Sequence, residues 1–371
     1  MTVVFVLIAL AYLFLVFSFI VGNYRLLPKP SLRKEEQKAE SVIEPFRDEA
    51  KNLASLIDAL MGQDYPPEKV ELIFIDDHST DRGAEIVKKK LENSTFQLLS
   101  MDKQFGKKAA LRKGVEAASN EMIITTDADC KMGEKWLESM MAYFRDHNTH
   151  LLIGPLTFQR EKGIWEAIVR TEFAALIAST AGAIGINRPF MSNGANLGFP
   201  RALYLSLGED DLKTNVASGD DVFLLHAIKK KFGNKAKITF AADKDALVIT
   251  QATSSLKDFF SQRLRWASKS RYYRDAFTIT VGLIVFFGNF NLILGLLATT
   301  LGLLKVEVLG IYFVIKWLMD SLLIYSTKKW NPLQMNLTKT FLVSLLYPFY
   351  IIAVALLSLL FKPHWKGRKI N

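Results

Sequence analysis

Four long apolar runs constrain this chain more than anything else in it. Residues 2–21, 277–304, 306–327 and 340–361 are each apolar over the roughly 20 residues needed to cross a bilayer's hydrocarbon core. In lipid, such a segment must pair every backbone N–H and C=O internally, so each run is expected to be a helix. Between the first and second runs lie about 250 residues of mixed, charged sequence. That insert is expected to be a water-soluble domain. A transporter would instead show many spans with paired halves. The first run has no positive n-region and no small-residue cleavage site, which predicts an uncleaved anchor.

The composition agrees, with 50% hydrophobic and 12% aromatic residues in 371 and a mean hydropathy of +0.15. A net charge of +10 does not point to nucleic acid here, because much of it flanks the apolar runs. Arg25, Lys29, Arg33 and Lys34 follow the first run; Lys269, Arg271 and Arg274 precede the second; Lys366, Arg368 and Lys369 follow the last. Flanking cations orient membrane segments, and the first two clusters predict a cytoplasmic insert on a multi-pass protein of the cell membrane. Three further full spans would leave the last cluster outside, against the same rule. Lys316 and Asp320, four apart in the third run, share a helix face and are expected to pair. A single cysteine, Cys130, excludes an internal disulfide and fits a reducing compartment.

From residue 39 the pattern alternates between short β-rich runs and amphipathic helices. "AESVIEPF", "ELIFID", "FQLLSM" and "EMIITTDAD" read as strands, with "DEAKNLASLIDALMGQ", "AEIVKKKLE" and "KKAALRKGVEAAS" as helices between them. Strand, helix, strand at short loop lengths implies parallel pairing with right-handed crossovers, hence an α/β fold. The expected organisation is an anchor (1–24), a charged linker (25–38), the α/β domain (39–250), an amphipathic interfacial segment (251–276) and a C-terminal membrane region of about three helices (277–371).

Ligands of open α/β sheets sit beyond the carboxyl ends of the strands, and acids gather at three such ends. They are Asp48 and Glu49 after the first strand, Asp76 and Asp77 after the second, and Asp127 and Asp129 after the fourth. Such a cluster needs positive charge among it, and a divalent cation is the economical source. Residues i and i+2 of an extended chain face the same way, so Asp127 and Asp129 can meet one ion while Ala128 points away. Carboxylate oxygens suit Mg2+ or Mn2+. Asp76 and Asp77 are consecutive, so at most one faces a ligand; the other is free to cap the following helix. Asp220 and Asp221, at the start of another helix, read equally as a cap or as a general base for a hydroxyl.

"SQRLRWASKS" at 261–270 places Arg263, Arg265, Lys269 and Trp266 just before an apolar run. Lipid headgroups are one partner for such cations beside a membrane, and a pyrophosphate, whose oxygens suit an arginine's planar fork, is the second candidate.

The segments "SVIEPFRDEAKNL", "IFIDDHSTD", "GKKAAL", "TTDADC", "SNGANLGF", "SGDDVFLL" and "QRLRW" occur in this order, and together they resemble the membrane-bound glycosyltransferases of family 2. That family includes cellulose, chitin and hyaluronan synthases, ceramide glucosyltransferase and bacterial carotenoid and lipid glycosyltransferases. The likeness covers about residues 40–270 and the flanking apolar runs. It implies a GT-A fold, a mixed and mostly parallel sheet with flanking helices, joined here to transmembrane helices. It also implies inverting, metal-dependent transfer of a sugar from a nucleotide-diphosphate donor, such as a UDP-sugar, to a lipid or saccharide acceptor in glycolipid or cell-envelope synthesis.

Position by position, the resemblance assigns Phe46, Arg47, Glu49, Asp76, Asp77, Gly106, Lys107 and Asp127 to the nucleotide, and Asp127 and Asp129 to Mg2+ or Mn2+. Asp221 would be the catalytic base. Asp220, Gln262, Arg263, Arg265 and Trp266 would border the diphosphate and the acceptor. Asp220 stands where the family has Glu, and Glu44 stands in the first strand where the family mostly has an apolar residue. A polysaccharide synthase subunit and an inactive nucleotide-sugar-binding protein are the alternatives. Four spans favour a lipid acceptor over an export channel.

Overall fold

The computed structural model describes residues 2–30, 38–91, 96–146, 149–159, 163–214, 216, 218–253, 255–332, 336–360, 364–365 and 368–369. Half of the predicted linker, 31–37 with Arg33 and Lys34, and Lys366 of the last cluster lie outside them. Contacts divide the chain into an α/β unit, Leu27–Gln159 with Met191–Gln251, and a helical unit, Met1–Leu26 with Arg160–Phe190 and Ala252–Asn371. The single domain expected over 39–250 is therefore interrupted, because Arg160–Phe190 groups with the apolar helices.

In chain order, α1 (Thr2–Arg25) is followed by β1 (Glu40–Phe46), α2 (Ala50–Met61), β2 (Val70–Asp76), α3 (Gly83–Leu91), β3 (Gln97–Ser100) and α4 (Lys107–Ala117). Next come β4 (Met122–Thr126), β5 (Lys131–Met132), α5 (Trp136–Asp146), β6 (Leu151–Ile153), β7 (Leu156–Phe158) and α6 (Ile164–Gly185). Then follow β8 (Asn196–Pro200), α7 (Arg201–Leu205), α8 (Glu209–Leu212), α9 (Asp220–Phe232), β9 (Ile238–Phe240) and β10 (Val248–Thr250). The chain closes with α10 (Leu256–Ser268), α11 (Ala276–Thr300), α12 (Val306–Tyr325) and α13 (Leu337–Leu360), before two short strands at 364–369.

Periodicity explains the α/β unit. Leu53, Leu56 and Ile57 of α2 are fully buried and Leu60 nearly so, the i, i+3, i+4, i+7 stripe of a helix covering a sheet. Each buried side chain of this kind contributes about 1.5–3 kcal/mol. β1 is buried along its whole length, as a central strand covered on both faces should be. The main sheet runs β3-β2-β1-β4-β8-β6-β9. β1, β2, β3 and β4 are parallel, while β8 runs antiparallel to β4 and β6. The register pairs Phe46 with Asp76 and Ile43 with Thr125, so the carboxyl ends of β1, β2 and β4 share one edge. After β3 the chain passes to the other side of β1 to form β4. The loops after β1 and β4 thus diverge and leave a crevice at the sheet's switch point.

Among the described residues of the helical unit, five helices are long and apolar enough to cross a membrane, one more than the four apolar runs. The addition is α6, whose Glu166, Arg170 and Glu172 and many small residues dilute its apolar signal. The small residues have a packing reason. A Cβ on Gly182 would lie 2.2 Å from Phe19 O, and one on Gly185 would lie 2.0 Å from Gly22 O. Backbone therefore rests directly on backbone where α1 meets α6, as small-residue seams allow. Asn23 Nδ2 fastens the crossing by donating to Ala178 O at 3.1 Å and to Ser326 Oγ of the turn after α12 at 2.8 Å. The expected Lys316–Asp320 pair forms at 2.7 Å, and Tyr12 Oη donates to the same carboxylate at 2.9 Å. That cluster ties α12 to α1.

Because no side chain fits at the seam, Gly182→Val is expected to destabilise the folded protein by at least about 1–3 kcal/mol through overpacking. Thermal melting of the full chain in detergent checks this; an unchanged melting temperature would mean the helices do not cross at Gly182.

Candidate functional site

The crevice at the end of β1, β2 and β4 is built by carboxylates that hold loops as much as by ones that face outward. Asp48, with φ of 51°, accepts from Thr80 N at 2.7 Å, and its own N–H donates to Ser79 Oγ at 3.1 Å. Asp81 accepts from Ala50 N at 2.8 Å and Gly83 N at 2.9 Å. These bonds tie the loop after β1 to the loop after β2. The Thr80 N–H, offset in part by the cost of burial, holds the Asp48 carboxyl below its usual range.

The consecutive acids separate as an extended chain requires. Asp76 accepts from Ser79 N at 2.9 Å, closing the turn. Asp77 is 2% exposed and takes Gly106 N on both oxygens, at 3.2 and 3.1 Å. Gly106 caps α4 with φ of 100°, a backbone that side chains disfavour, and so places Lys107 at the helix start. Phe46 lends its carbonyl to Asp77 N at 2.9 Å, and its own side chain is buried. Arg47 reaches back to Asp48 at 3.4 Å, and Glu49 accepts from Asn52 Nδ2 at 2.7 Å.

Lys107 is the centre of the site. Its Nζ lies 2.5 Å from Asp127 Oδ1 and 3.7 Å from Asp220 Oδ2. The positive charge that the sequence demands among these acids is supplied, in part, by the chain itself. Burial alone would lower the Lys107 pKa, but Asp127 and Asp220 hold it well above the usual lysine value. Asp220 and Asp221 both sit in the first turn of α9, behind Gly219 at the cap position, so neither is the cap. Asp221 accepts from Val222 N at 2.7 Å. The 191–196 loop closes one side: Thr125 Oγ1 donates to Gly194 O at 2.8 Å. A Cβ on Gly194 would stand 3.0 Å from Asp220 Oδ2 and 3.6 Å from Lys107 Nζ.

Asp129 accepts from Thr250 Oγ1 at 2.7 Å, and burial together with Asp127 raises its pKa. Glu44, 2% exposed, is pushed well above the carboxylate range by burial and then by Asp127. Among the described residues no three His, Cys, Asp or Glu side chains converge on one point. Asp127 and Asp129 offer two hard oxygen donors on the crevice edge. That set fits a cation of the Mg2+ type, which takes one or two carboxylates and completes its shell with water and phosphate oxygens.

Gln262, Arg263, Arg265 and Trp266 lie on α10 of the helical unit. Here the structure adds what the sequence did not disclose. Arg263 is 3% exposed and forms a buried ion pair with Glu172 of α6. Its guanidinium stacks between Phe259 and Trp266, 4.6 and 4.4 Å from their ring centroids, and Gln262 Oε1 accepts from it at 2.5 Å. Arg263 is thus consumed by packing and is not open to a diphosphate; Arg265 is half-buried. Tyr350 of α13 also donates to Glu172, at 3.4 Å. Glu172 sits 91 residues from Arg263 in a stretch with no recognisable motif, and a charged residue within an apolar helix was its only signal. Phe259, within the segment 251–276 expected at the membrane interface, is buried inside the protein.

Residues 41–198 match the family model described as "Glycosyl transferase family 2", and residues 122–362 match "Glycosyl transferase family group 2". Glycosyltransferase AglE of Haloferax volcanii is 30% identical over 124 residues, 33% of this chain and 41% of that protein. Poly-beta-1,6-N-acetyl-D-glucosamine synthase of Staphylococcus aureus is 26% identical over 156 residues, 42% of this chain and 37% of that one. The chain therefore spans about two-fifths of these curated relatives. The solved structure of a mannosyltransferase from Pyrobaculum calidifontis, in complex with GDP-Man and Mn2+, aligns over 96% of this chain and 98% of its own. Its TM-score is 0.56 at 16% identity, a likeness of fold: the mostly parallel sheet with flanking helices is of the GT-A type.

Two outcomes are expected. Asp48→Asn should lower the melting temperature at pH 7 by the equivalent of a fraction of about 1 kcal/mol, since the group is exposed. The depressed native pKa means this difference is present above the unfolded value of about 3.9 and disappears as pH falls through the native one; melts from pH 3 to 7 check it. Arg263→Met should cost about 3–5 kcal/mol by leaving Glu172 buried without its partner. In the same melts, Arg263→Met/Glu172→Leu should recover most of that loss.

Proposed function

Because the chain belongs to glycosyl transferase family group 2, we propose that it transfers a sugar from a nucleotide-diphosphate donor, a UDP-sugar, to a lipid acceptor in the membrane, with inversion at the anomeric carbon. One observation carries this reading: Lys107 draws Asp127 and Asp220, and with Asp220 the neighbouring Asp221, to one crevice at the switch point of the sheet.

In this mechanism Asp221 accepts the proton of the acceptor hydroxyl, and the oxygen attacks the anomeric carbon as its bond to the diphosphate breaks. A carboxylate placed for this role contributes about 10²–10⁴-fold. The diphosphate leaves with the electron pair, and its charge is met by Lys107. Asp127 and Asp129 would hold Mg2+ or Mn2+, which when bound neutralises charge on the leaving group. Phe46, Arg47, Glu49, Asp76, Asp77 and Gly106 shape the wall for the nucleoside, chiefly through the loop ties described above. Gln262 and Trp266 border the acceptor, and Arg263 positions them. Asp220 holds Lys107.

The α/β unit is read as cytoplasmic. β6 and β8 pair in one sheet, yet α6 lies between them in sequence. A helix whose two ends feed one sheet does not carry the chain across a bilayer. That supports reading α6 as a helix held on one side and α1, α11, α12 and α13 as the four spans. A second reading, growth of a saccharide polymer, draws support from the partial match to the Staphylococcus aureus synthase. Product length after incubation with labelled donor separates the two.

Asp221→Asn is expected to reduce transfer by at least about 100-fold while nucleotide affinity stays near that of the unaltered protein. Unchanged turnover would remove Asp221 from the mechanism. Chelation by EDTA should abolish transfer, and Mn2+ or Mg2+ should restore it.

A further inference from the structure

The helical unit holds an apolar cavity of about 350 Å3, lined by α6, α10 and α13, and neither the family match nor the mechanism assigns it a role. Its size falls within the roughly 300–1,000 Å3 of ligand pockets. Trp165, Val169, Phe259, Phe260, Val343 and Ala353 are among the residues of its wall. The polar groups at its edge are Glu172, already paired with Arg263, and the tyrosines Tyr347 and Tyr350. A wall of this chemistry gives water too few partners to fill the space. One of its three walls is α13, long and apolar enough to cross a membrane, which puts a hydrocarbon ligand within reach of the cavity.

We propose that this cavity seats a hydrocarbon chain of the acceptor, an acylated membrane lipid; the acceptor role rests on the lipid-acceptor reading above. Three observations select this occupant. The Trp165 indole Nε1–H is buried without an acceptor among the described residues, a cost that the ester carbonyl at the head of an acyl chain would remove. Lys257 is exposed and adjacent in sequence to Leu256 of the wall, which leaves an ammonium for a lipid phosphate. The helix that supplies Leu256, Phe259 and Phe260 is also the one that carries Gln262, Arg265 and Trp266. A chain held against one part of α10 presents its head to the rest. The buried Arg263–Glu172 pair then has a use beyond packing, since it fixes α10 on α6 and keeps the cavity open.

The test uses the full-length protein in phosphatidylglycerol vesicles whose acyl chains are brominated, read by tryptophan quenching. Trp165→Phe identifies the Trp165 component. Ala353→Phe and Val343→Phe each fill the cavity from α13, and unchanged nucleotide affinity certifies that each has folded. Quenching of Trp165 is expected in the otherwise unaltered protein and not in the filled variants. Transfer of labelled sugar to extractable lipid should fall by about tenfold or more in both, the loss of about 1.4 kcal/mol of chain binding. Equal quenching in filled and unfilled protein overturns the proposal, as does lost quenching with full lipid transfer. Transfer by the unaltered protein to water-soluble saccharides alone overturns the lipid reading itself. The two failures are distinguishable because quenching requires no transfer.

Discussion

An ammonium between two carboxylates organises this protein. Lys107 draws Asp127 from the end of β4 and Asp220 from the start of α9 toward one point, and the local architecture exists to keep it there. Gly106 turns the chain at an angle that side chains disfavour, and buried Asp77 grips its N–H. The parallel register sets β1, β2 and β4 level. Without the lysine, the acids would repel one another at the one place where the sheet's connectivity opens a crevice.

The site is rigid on the sheet side because its carboxylates do two kinds of work. Asp48, Asp76, Asp77 and Asp81 spend their oxygens on backbone N–H groups of neighbouring loops. Asp127 and Asp129 stand beside them, bonded to Lys107 and to Thr250. Burial and the neighbouring Asp127 raise the pKa of both Glu44 and Asp129. A cation and a diphosphate arriving together would add nearly balanced charge to such a place.

Much of this was legible in the sequence, and the boundary of legibility has a physical cause. The strands and helices of 39–132 are local, and their periods of 2 and 3.6 reach the surface of the sequence directly. Lys316 and Asp320 pair as their spacing requires. Arg263 is the opposite case: its neighbours in sequence suggested a phosphate, while its partner Glu172 lies 91 residues away on a helix that hydropathy did not announce. Lys107 was placed beside the nucleotide by resemblance, but that it would bridge two acids depended on the sheet order, which no local pattern encodes. α6 escaped notice because the small residues that let it touch α1 are the ones that lower its apolar signal.

The position of α6 in the chain has an effect on how the molecule can be divided. It leaves the α/β unit after β7 and returns before β8, and its glycines lie flush on the backbone of α1. No single cut frees the sheet from the lipid-facing half. Trimming both termini would still leave a 22-residue apolar helix stripped of its companion, its bare seam turned toward water.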